Sequence, residues 1–269
     1  MLKSVLMVIY YYIINLLKQF PCSLSMKKQQ ALSLIIPCYN EEAGIPQLVE
    51  QLASVSASLP RKYTLEIIFV DDGSTDKTNE LLHQHFASNP AVTVIKHEKN
   101  QNLGAALKTG FNNAKGDLIA TWDSDCTYPF YLLPEMLKLL DKNTQVVTVS
   151  PYHPQGKVEN VPAWRIFLSK SSSMMYKFLL NSGIYTHGAM VRVYKKEVLQ
   201  NVRSGANNFL YVPEILIKAV LKGYKVKEIP ATLRVRQFGV SKMKLFNTIK
   251  SHLNLMGKVV LYKTFGKEL

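Results

Sequence analysis

Short apolar runs alternate with amphipathic stretches through the first half of the chain. The stretches between the runs repeat their apolar residues at helical spacing, and one of them opens at Asn102-Leu103-Gly104 and carries Lys108. Four runs have the length and the β-branched content of buried strands: residues 32–36, 65–70, 92–95 and 118–121. Strands that alternate with helices predict βαβ units, and therefore an α/β fold with a mostly parallel sheet flanked by helices.

The first residues form a separate apolar pattern. Residues 4–17 are almost wholly apolar and lie between Lys3 and Lys18. As a helix this run would extend about 21 Å, short of the roughly 30 Å hydrocarbon core of a bilayer. We expect an N-terminal apolar segment over residues 1–28, which is either a shallow interfacial anchor or an extension upstream of a start at Met26.

The last residues predict a basic amphipathic helix. An apolar stripe recurs at helical spacing through Leu245, Phe246, Ile249, Leu253, Met256 and Val260. Five lysines surround it: Lys242, Lys244, Lys250, Lys258 and Lys263. Such a helix either binds an anionic membrane surface or packs on the core with solvated lysines. The expected organisation is the segment 1–28, a central domain over 29–242 and this helix over 243–269.

The charge balance favours an anionic partner. The net charge is +14, which suits nucleic acid, an acidic membrane or a phosphorylated substrate. Nucleic acid is the least favoured, because the basic residues follow no known reader motif. The three cysteines, Cys22, Cys38 and Cys126, have neither disulfide-framework nor zinc-site spacing, which is typical of a reducing compartment.

Polar clusters follow three of the predicted strands. They are Tyr39-Asn40-Glu41, Asp71-Asp72-Gly73 and Asp123-Ser124-Asp125. The carboxyl ends of parallel strands with right-handed crossovers lie at one edge of the sheet, where open α/β folds bind ligands. The three clusters therefore predict one site.

The third cluster predicts a metal site. On an extended backbone residues i and i+2 point to one side, so Asp123 and Asp125 can converge. Two hard carboxylate oxygens suit Mg²⁺ or Mn²⁺, with substrate phosphates completing the coordination. An isolated Asp-x-Asp is also common in solvated turns, but two more polar clusters at the same edge favour the metal. No P-loop and no Gly-x-Gly-x-x-Gly follows the first strand, which argues against NTPase and Rossmann sites.

These motifs resemble the family 2 glycosyltransferases of the GT-A fold over residues 32 to about 130. The matching segments are Ile36-Pro37-Cys38-Tyr39-Asn40-Glu41, Val70-Asp71-Asp72-Gly73-Ser74-Thr75-Asp76, Asn102-Leu103-Gly104, Gly116-Asp117 and Asp123-Ser124-Asp125. In the second half, Arg192-Val193-Tyr194-Lys195-Lys196 and Arg236-Gln237-Phe238-Gly239-Val240-Ser241-Lys242 resemble segments of dolichol-phosphate mannose synthases and related polyprenyl-phosphate glycosyltransferases.

The resemblance implies a donor site for a nucleotide-diphosphate sugar. Asp123 and Asp125 would hold Mg²⁺ or Mn²⁺ on the diphosphate, while Asp72 could instead fix its own turn. The expected nucleotide-binding residues are Pro37, Tyr39, Glu41, Asp71, Asp72, Lys108, Asp123 and Ser124. Thr127 occupies the position where mannose synthases often have a glutamine, which leaves the third metal ligand open.

The resemblance also implies inverting transfer of a hexose, such as mannose or glucose, to a polyprenyl or dolichyl phosphate at the cytoplasmic face of a membrane. The expected catalytic residues are Asp125, Glu214, Arg236 and Lys242, and the expected acceptor-phosphate cations are Arg165, Arg236 and Lys242. Gly239 would let the loop 236–242 turn and close over the diphosphate. Pro151 lies near the position where the family has a second arginine.

An alternative acceptor is a sugar hydroxyl of a glycan or glycolipid. Glu214 would then be the general base, because a hydroxyl must lose its proton; otherwise Glu214 is a salt-bridged helix carboxylate. His187 has no motif around it, and we interpret it as structural.

Overall fold

The computed structural model describes residues 29–234 and 245–267. The predicted apolar segment 1–28 and the predicted loop from Arg236 to Lys242, with Gly239, lie outside the described residues.

Nine strands and eight α-helices make up the described part of the chain. The strands are β1 (Gln30–Cys38), β2 (Tyr63–Asp71), β3 (Val92–Lys96), β4 (Leu118–Thr121), β5 (Val146–Ser150), β6 (Lys157–Glu159), β7 (Arg192–Lys195), β8 (Val226–Pro230) and β9 (Thr232–Arg234). The helices are α1 (Ile45–Ser58), α2 (Thr78–Phe86), α3 (Leu103–Asn113), α4 (Leu132–Leu139), α5 (Ala163–Leu180), α6 (Lys196–Asn201), α7 (Tyr211–Leu221) and α8 (Leu245–Phe265).

Seven strands form one sheet in the order β3-β2-β1-β4-β7-β5-β8. Only β7 runs antiparallel to its neighbours, β4 and β5. The remaining pairs of this sheet are parallel, so the predicted mostly parallel sheet flanked by helices is confirmed. A separate parallel pair joins β6 to β9.

Both faces of the sheet are covered, which explains why its strands read as continuous apolar runs. In β1, Leu34 and Ile36 pack in a core with α1, while Ile35 packs on the opposite face with α3 and α7. A third apolar cluster joins α5, α7 and α8, and Tyr176, Ile217 and Val259 are its most deeply buried members. The helix predicted within residues 243–269 is therefore present as α8, and one side of it packs against α5 and α7. Within the described residues, no helix combines the length and apolarity that a bilayer span requires.

Candidate active site

The three polar clusters meet at one edge of the sheet, as predicted. β1 pairs in parallel with β2 on one side and with β4 on the other. In that register Cys38 lies opposite Asp71, the last residue of β2. The turns that leave β1, β2 and β4 are consequently neighbours.

Hydrogen bonds lock the turn after β1 onto the loop after β2. Asn40 has a left-handed backbone (φ +51°), and its amide N–H donates to Ser74 Oγ at 2.9 Å. Asn40 Oδ1 accepts the N–H of Thr75 at 2.8 Å. Glu41 donates its N–H to Thr78 Oγ1 at 2.7 Å. The segment Tyr39-Asn40-Glu41 is therefore held in place by the fold itself.

Asp71 presents an unsatisfied carboxylate oxygen inside this junction. The residue is fully buried, and its Oδ1 accepts the N–H of Ser74 at 2.9 Å. Its Oδ2 is buried without a hydrogen-bond partner among the described residues. An unpaired buried acceptor is costly, so this oxygen points to a ligand that donates a hydrogen bond.

Asp72 makes a different set of contacts. Its carboxylate accepts hydrogen bonds from His97 Nδ1 at 2.7 Å, from Asn100 Nδ2 at 2.9 Å and from the N–H of Gln101 at 2.9 Å. These bonds tie β2 to the loop that follows β3. Gly73 fits this close approach, because it has φ +71° and a Cβ there would lie 2.5 Å from the carbonyl carbon of Lys99. The contacts give Asp72 a structural role, which it performs through the loop after β3 and not through local backbone bonds of its own turn.

A buried tryptophan positions the Asp-x-Asp turn after β4. Trp122 is fully buried, and its indole N–H donates to the carbonyl oxygen of Tyr128 at 2.9 Å. Its ring stacks on Phe130 with 4.9 Å between centroids. Asp125 Oδ1 accepts the N–H of Thr127 at 3.0 Å. The two half-buried carboxylates thus stand on a turn whose base is part of the core.

Negative charge is concentrated at this turn. Burial, with the carboxylates of Asp125 and Asp123, raises the pKa of the Cys126 thiol to about 12. Burial and the same two carboxylates also raise the pKa of the Tyr128 hydroxyl. A divalent cation at this position would relieve that repulsion.

The donor set fits Mg²⁺ or Mn²⁺. The described residues contain no group of three His, Cys, Asp or Glu side chains that could enclose a metal ion. These cations are commonly bound by one or two carboxylates, and oxygens of substrate phosphates fill further positions in their coordination sphere. Thr127 donates its backbone N–H to Asp125, and the third ligand stays open.

A cavity of about 340 Å³ borders Asp125. Its walls come from α1, from the loop after Asp125 and from the β6–β9 pair. The residues of these walls that can form hydrogen bonds or ion pairs with a ligand include Gln47, Gln51, Thr127, Gln155, Lys157 and Arg234. The sequence does not predict a role for Lys157 or Arg234, because neither belongs to a local motif. Only the pairing of distant segments, β6 and β9, brings them to the cavity.

Other predicted site residues lie in different surroundings. Pro37 is buried within β1, Tyr39 is half-buried just beyond it, and Ser124 is buried between the two aspartates. Lys108 donates from Nζ to Asn207 Oδ1 at 2.7 Å and lies 5.5 Å from the centre of the Tyr211 ring. Lys108 therefore contacts the segment before α7 and the first residue of that helix.

Glu214 is part of an ion pair on α7. Its Oε1 lies 2.8 Å from Lys218 Nζ, and its Oε2 accepts the hydroxyl hydrogen bond of Ser204 at 2.6 Å. This arrangement favours the salt-bridged helix carboxylate over the general base. Arg165 is exposed on the first turn of α5, with its guanidinium 5.2 Å from the Trp164 ring centre.

A buried arginine and a buried histidine brace the fold beside the site. Arg192 donates to the carbonyl oxygens of Val212, at 2.5 Å, and of His187, which joins β7 to α7. His187 is also buried, and neither ring nitrogen has a hydrogen-bond partner among the described residues. Burial and the nearby charge of Arg192 lower the pKa of His187 to about 3, so the ring is neutral at pH 7.

Comparison with known proteins places these features in one family. The family described as "Glycosyl transferase family 2" matches residues 33–203. A dolichol-phosphate mannosyltransferase of Pyrococcus furiosus is 33% identical over 79% of this chain, which spans 59% of that relative's length. A polyprenol monophosphomannose synthase of Mycolicibacterium smegmatis is 30% identical over 81% of this chain and 83% of its own.

A solved structure shares the fold. The glucosyl-3-phosphoglycerate synthase of Mycobacterium tuberculosis, in complex with Mn²⁺, uridine diphosphate and glucosyl-3-phosphoglycerate, superposes with a TM-score of 0.61. The match covers 88% of this chain and 81% of that one at 16% identity. The GT-A fold expected from the motifs is thereby confirmed.

Proposed function

The chain belongs to glycosyl transferase family 2, and from that premise we propose that it transfers a hexose from a nucleotide-diphosphate sugar to a polyprenyl phosphate at a membrane surface. The observation that carries the proposal is the juxtaposition of Asp71 Oδ2, a buried acceptor without a partner among the described residues, with the half-buried pair Asp123 and Asp125. One end of this site suits a hydrogen-bond donor and the other a diphosphate-bound cation. The names of the two relatives, both mannose transferases of polyprenol type, support the acceptor class.

On the donor side, Asp71 Oδ2 accepts a ring N–H of the nucleobase or a ribose hydroxyl. The fixed turn from Tyr39 to Glu41 lines the ribose, with Pro37 beneath it and Ser124 on the diphosphate side. Asp72 and Lys108 act through the segments that they hold, the loop after β3 and the segment before α7.

Asp123 and Asp125 would hold Mg²⁺ or Mn²⁺, which would supply Lewis-acid neutralisation of the leaving diphosphate. Thr127 and the buried base of the turn orient these carboxylates. The protein would therefore place the positive charge of the cation where the leaving diphosphate develops negative charge.

The acceptor chemistry agrees with the state of Glu214. A phosphate monoester is largely dianionic at neutral pH, with a second pKa of about 6, so its oxygen can attack the anomeric carbon without a general base. Glu214 is held by Lys218 and Ser204, which disfavours the alternative acceptor with a sugar hydroxyl. Cations that position the phosphate matter more, and Arg165, Arg236 and Lys242 remain our proposals for that role.

The membrane surface is proposed from a face formed by α5 and α8. Ten of the thirteen exposed large apolar residues in the described part of the chain lie on these two helices: Trp164, Phe167, Met174, Met175 and Phe178 on α5, and Ile249, Leu253, Val260, Leu261 and Phe265 on α8. We call this set the two-helix face. The helices are packed together, because Lys263 Nζ donates to the carbonyl oxygen of Leu179 at 2.7 Å.

The charges around the two-helix face suit anionic lipid. Neither helix contains an aspartate or a glutamate. Their basic residues are Arg165, Lys170, Lys177, Lys250, Lys258 and Lys263. Exposed apolar side chains beside lysines are typical of helices that lie in the interface of an anionic leaflet. The sequence-based expectation placed membrane contact on the segment 1–28 and on the C-terminal helix, and it did not include α5, which carries more exposed aromatic surface than α8.

Substitution of Asp125 tests the donor site. Because Asp125→Asn removes one of two carboxylates, we expect transfer to fall by roughly 1,000-fold, equivalent to about 4 kcal/mol of transition-state stabilisation. The matched control is Asp141→Asn, an exposed carboxylate in the turn before β5 that pairs with Lys227. Both variants should fold like the wild type by circular dichroism.

Steady-state transfer from a nucleotide-hexose to farnesyl phosphate, with and without Mn²⁺, gives the answer. Transfer by Asp125→Asn that equals transfer by Asp141→Asn would contradict the assignment of the metal site.

A further inference from the structure

The β6–β9 pair forms part of the wall of the cavity beside Asp125. Lys157 opens β6, lies in register with Thr232 of β9 and donates its backbone N–H to the carbonyl oxygen of Ala231 at 3.1 Å. Lys157, Ala231 and Thr232 all line the same cavity as Asp125. The lysine and the aspartate therefore border one space from different elements of the fold.

A tight loop through Gly156 fixes the position of Lys157 at the start of β6. The N–H of Gly156 donates to the carbonyl oxygen of His153 at 2.7 Å. A Cβ at position 156 would lie 2.6 Å from the carbonyl oxygen of Ser150 and 2.7 Å from that of Pro151. Only glycine fits that approach, so the loop folds directly back on the carboxyl end of β5 and sets Lys157 beside it.

The charge of Lys157 is available to a ligand. No carboxylate among residues 29–234 and 245–267 forms an ion pair with it. Arg234, the other cation of the cavity wall, pairs through Nε with Glu159 Oε2 at 3.1 Å. One uncompensated ammonium group beside polar side chains suits a phosphate.

We propose that Lys157 binds a phosphate oxygen of the acceptor and holds that phosphate beside Asp125 for attack on the donor sugar. The inference rests on the proposed function and deepens it. The cavity walls come from α1, the loop after Asp125 and β6–β9, whereas the nucleoside is assigned to the turns after β1 and β2. The diphosphate is assigned to Asp123 and Asp125, so the part of the cavity lined by β6–β9 is left for the acceptor.

The transfer step needs no further reactant. An acceptor phosphate oxygen forms a bond to the anomeric carbon as the bond from that carbon to the donor's diphosphate oxygen breaks, and the nucleoside diphosphate leaves with the electron pair. Lys157 keeps its proton throughout and stabilises the phosphate only by position and charge.

The test compares Lys157→Ala and Lys157→Arg with Lys142→Ala. Lys142 is an exposed lysine before the amino end of β5, whereas the cavity lies beyond the carboxyl end of that strand. With farnesyl phosphate as acceptor, Lys157→Ala should raise the acceptor KM by roughly 10- to 100-fold, the range for loss of a hydrogen bond to a charged group. The donor KM should stay constant, Lys157→Arg should recover most of the affinity, and Lys142→Ala should match the wild type.

Two results would overturn the inference. One is an acceptor KM for Lys157→Ala that equals that of Lys142→Ala. The other is a rise in the donor KM, or weaker Mn²⁺-dependent binding of nucleoside diphosphate, because either would place Lys157 on the donor.

A binding measurement separates this inference from the proposed function. If the wild type transfers to no lipid phosphate, the proposed function is wrong. Calorimetric titration with farnesyl phosphate and with inorganic phosphate then still tests the lysine. Equal affinities for wild type and Lys157→Ala would overturn the inference, and a loss of at least tenfold would support it. A loss with farnesyl phosphate but not with inorganic phosphate would identify a lipid phosphate as the ligand.

Discussion

Adjacent carboxylates at the end of β2 differ in what surrounds them. One carboxylate oxygen of Asp71 has no hydrogen-bond partner among the described residues. Both oxygens of Asp72 accept hydrogen bonds, from His97, Asn100 and Gln101. The motif around the two residues predicts a site but cannot separate them. The separation depends on the loop after β3, about 25 residues farther along the chain.

Lys157, in the cavity wall, could not be predicted from the sequence. Arg236 and Lys242 were predicted because they belong to a recognisable segment. Lys157 stands in no motif, and it reaches the site only because β6 pairs with β9, whose residues lie 75 positions later. Contacts of this kind depend on tertiary structure.

His187 predicts a pH dependence of stability. Its pKa is lowered to about 3 in the folded protein, below its usual value near 6.5. Its contribution to stability is therefore fully present above pH 6.5 and is lost as the pH falls toward 3, by at most about 1.4 kcal/mol per pH unit. His187→Met removes the titrating ring and keeps an apolar side chain of similar size.

Urea denaturation at pH 7, 6 and 5 should therefore give a shallower loss of unfolding free energy for His187→Met than for the wild type. His83→Gln, an exposed histidine on α2, is the control and should follow the wild type. Parallel curves for the wild type and His187→Met would show that His187 is not the group responsible.

At the level of elements, the strands that carry the site were predictable and several others were not. The buried parallel strands β1, β2 and β4 are apolar runs of sufficient length, and the predicted bounds of β4 match the observed ones. β7 was missed because its four residues, Arg192–Lys195, are a short run with a basic residue at each end and give no strand signal. Its pairing between β4 and β5 supplies the reason for that strand.

The exposed aromatic residues of helix α5 are predicted to contribute to membrane binding. Trp164, Phe167, Met174 and Phe178 lie within an arc of about 80° at 3.6 residues per turn, and Phe178 is 85% exposed. Because burial of each aromatic ring in a bilayer contributes roughly 1.5–3 kcal/mol, the double variant Phe167→Ser/Phe178→Ser should lose at least about tenfold in vesicle affinity.

Sedimentation of the full chain with vesicles containing phosphatidylglycerol measures that loss. Phe209→Ser, an exposed aromatic outside the two-helix face, is the matched control. Equal binding by the double variant and the control would place membrane contact elsewhere, for example on residues 1–28.

Across the whole molecule, the residues that give the net charge of +14 are distributed unevenly. Six of the 33 lysine and arginine residues lie on α5 and α8, which contain no carboxylate, while the carboxylates of the site lie at the edge of the sheet. Composition alone allowed nucleic acid, membrane or phosphorylated substrate as partners. The distribution of charge and exposed apolar surface favours a site that serves lipid-linked phosphate.

The proposed acceptor, a lipid phosphate, can be distinguished from a hydroxyl acceptor in one experiment. The full chain is incubated with UDP- and GDP-hexoses, Mn²⁺ and either undecaprenyl phosphate or undecaprenol, and the lipid products are weighed by mass spectrometry. We expect the mass of one hexose to be added to undecaprenyl phosphate and nothing to be added to undecaprenol, because only the phosphate is a nucleophile without a general base. Transfer to undecaprenol or to a glycan hydroxyl, with undecaprenyl phosphate left unmodified, would contradict the account.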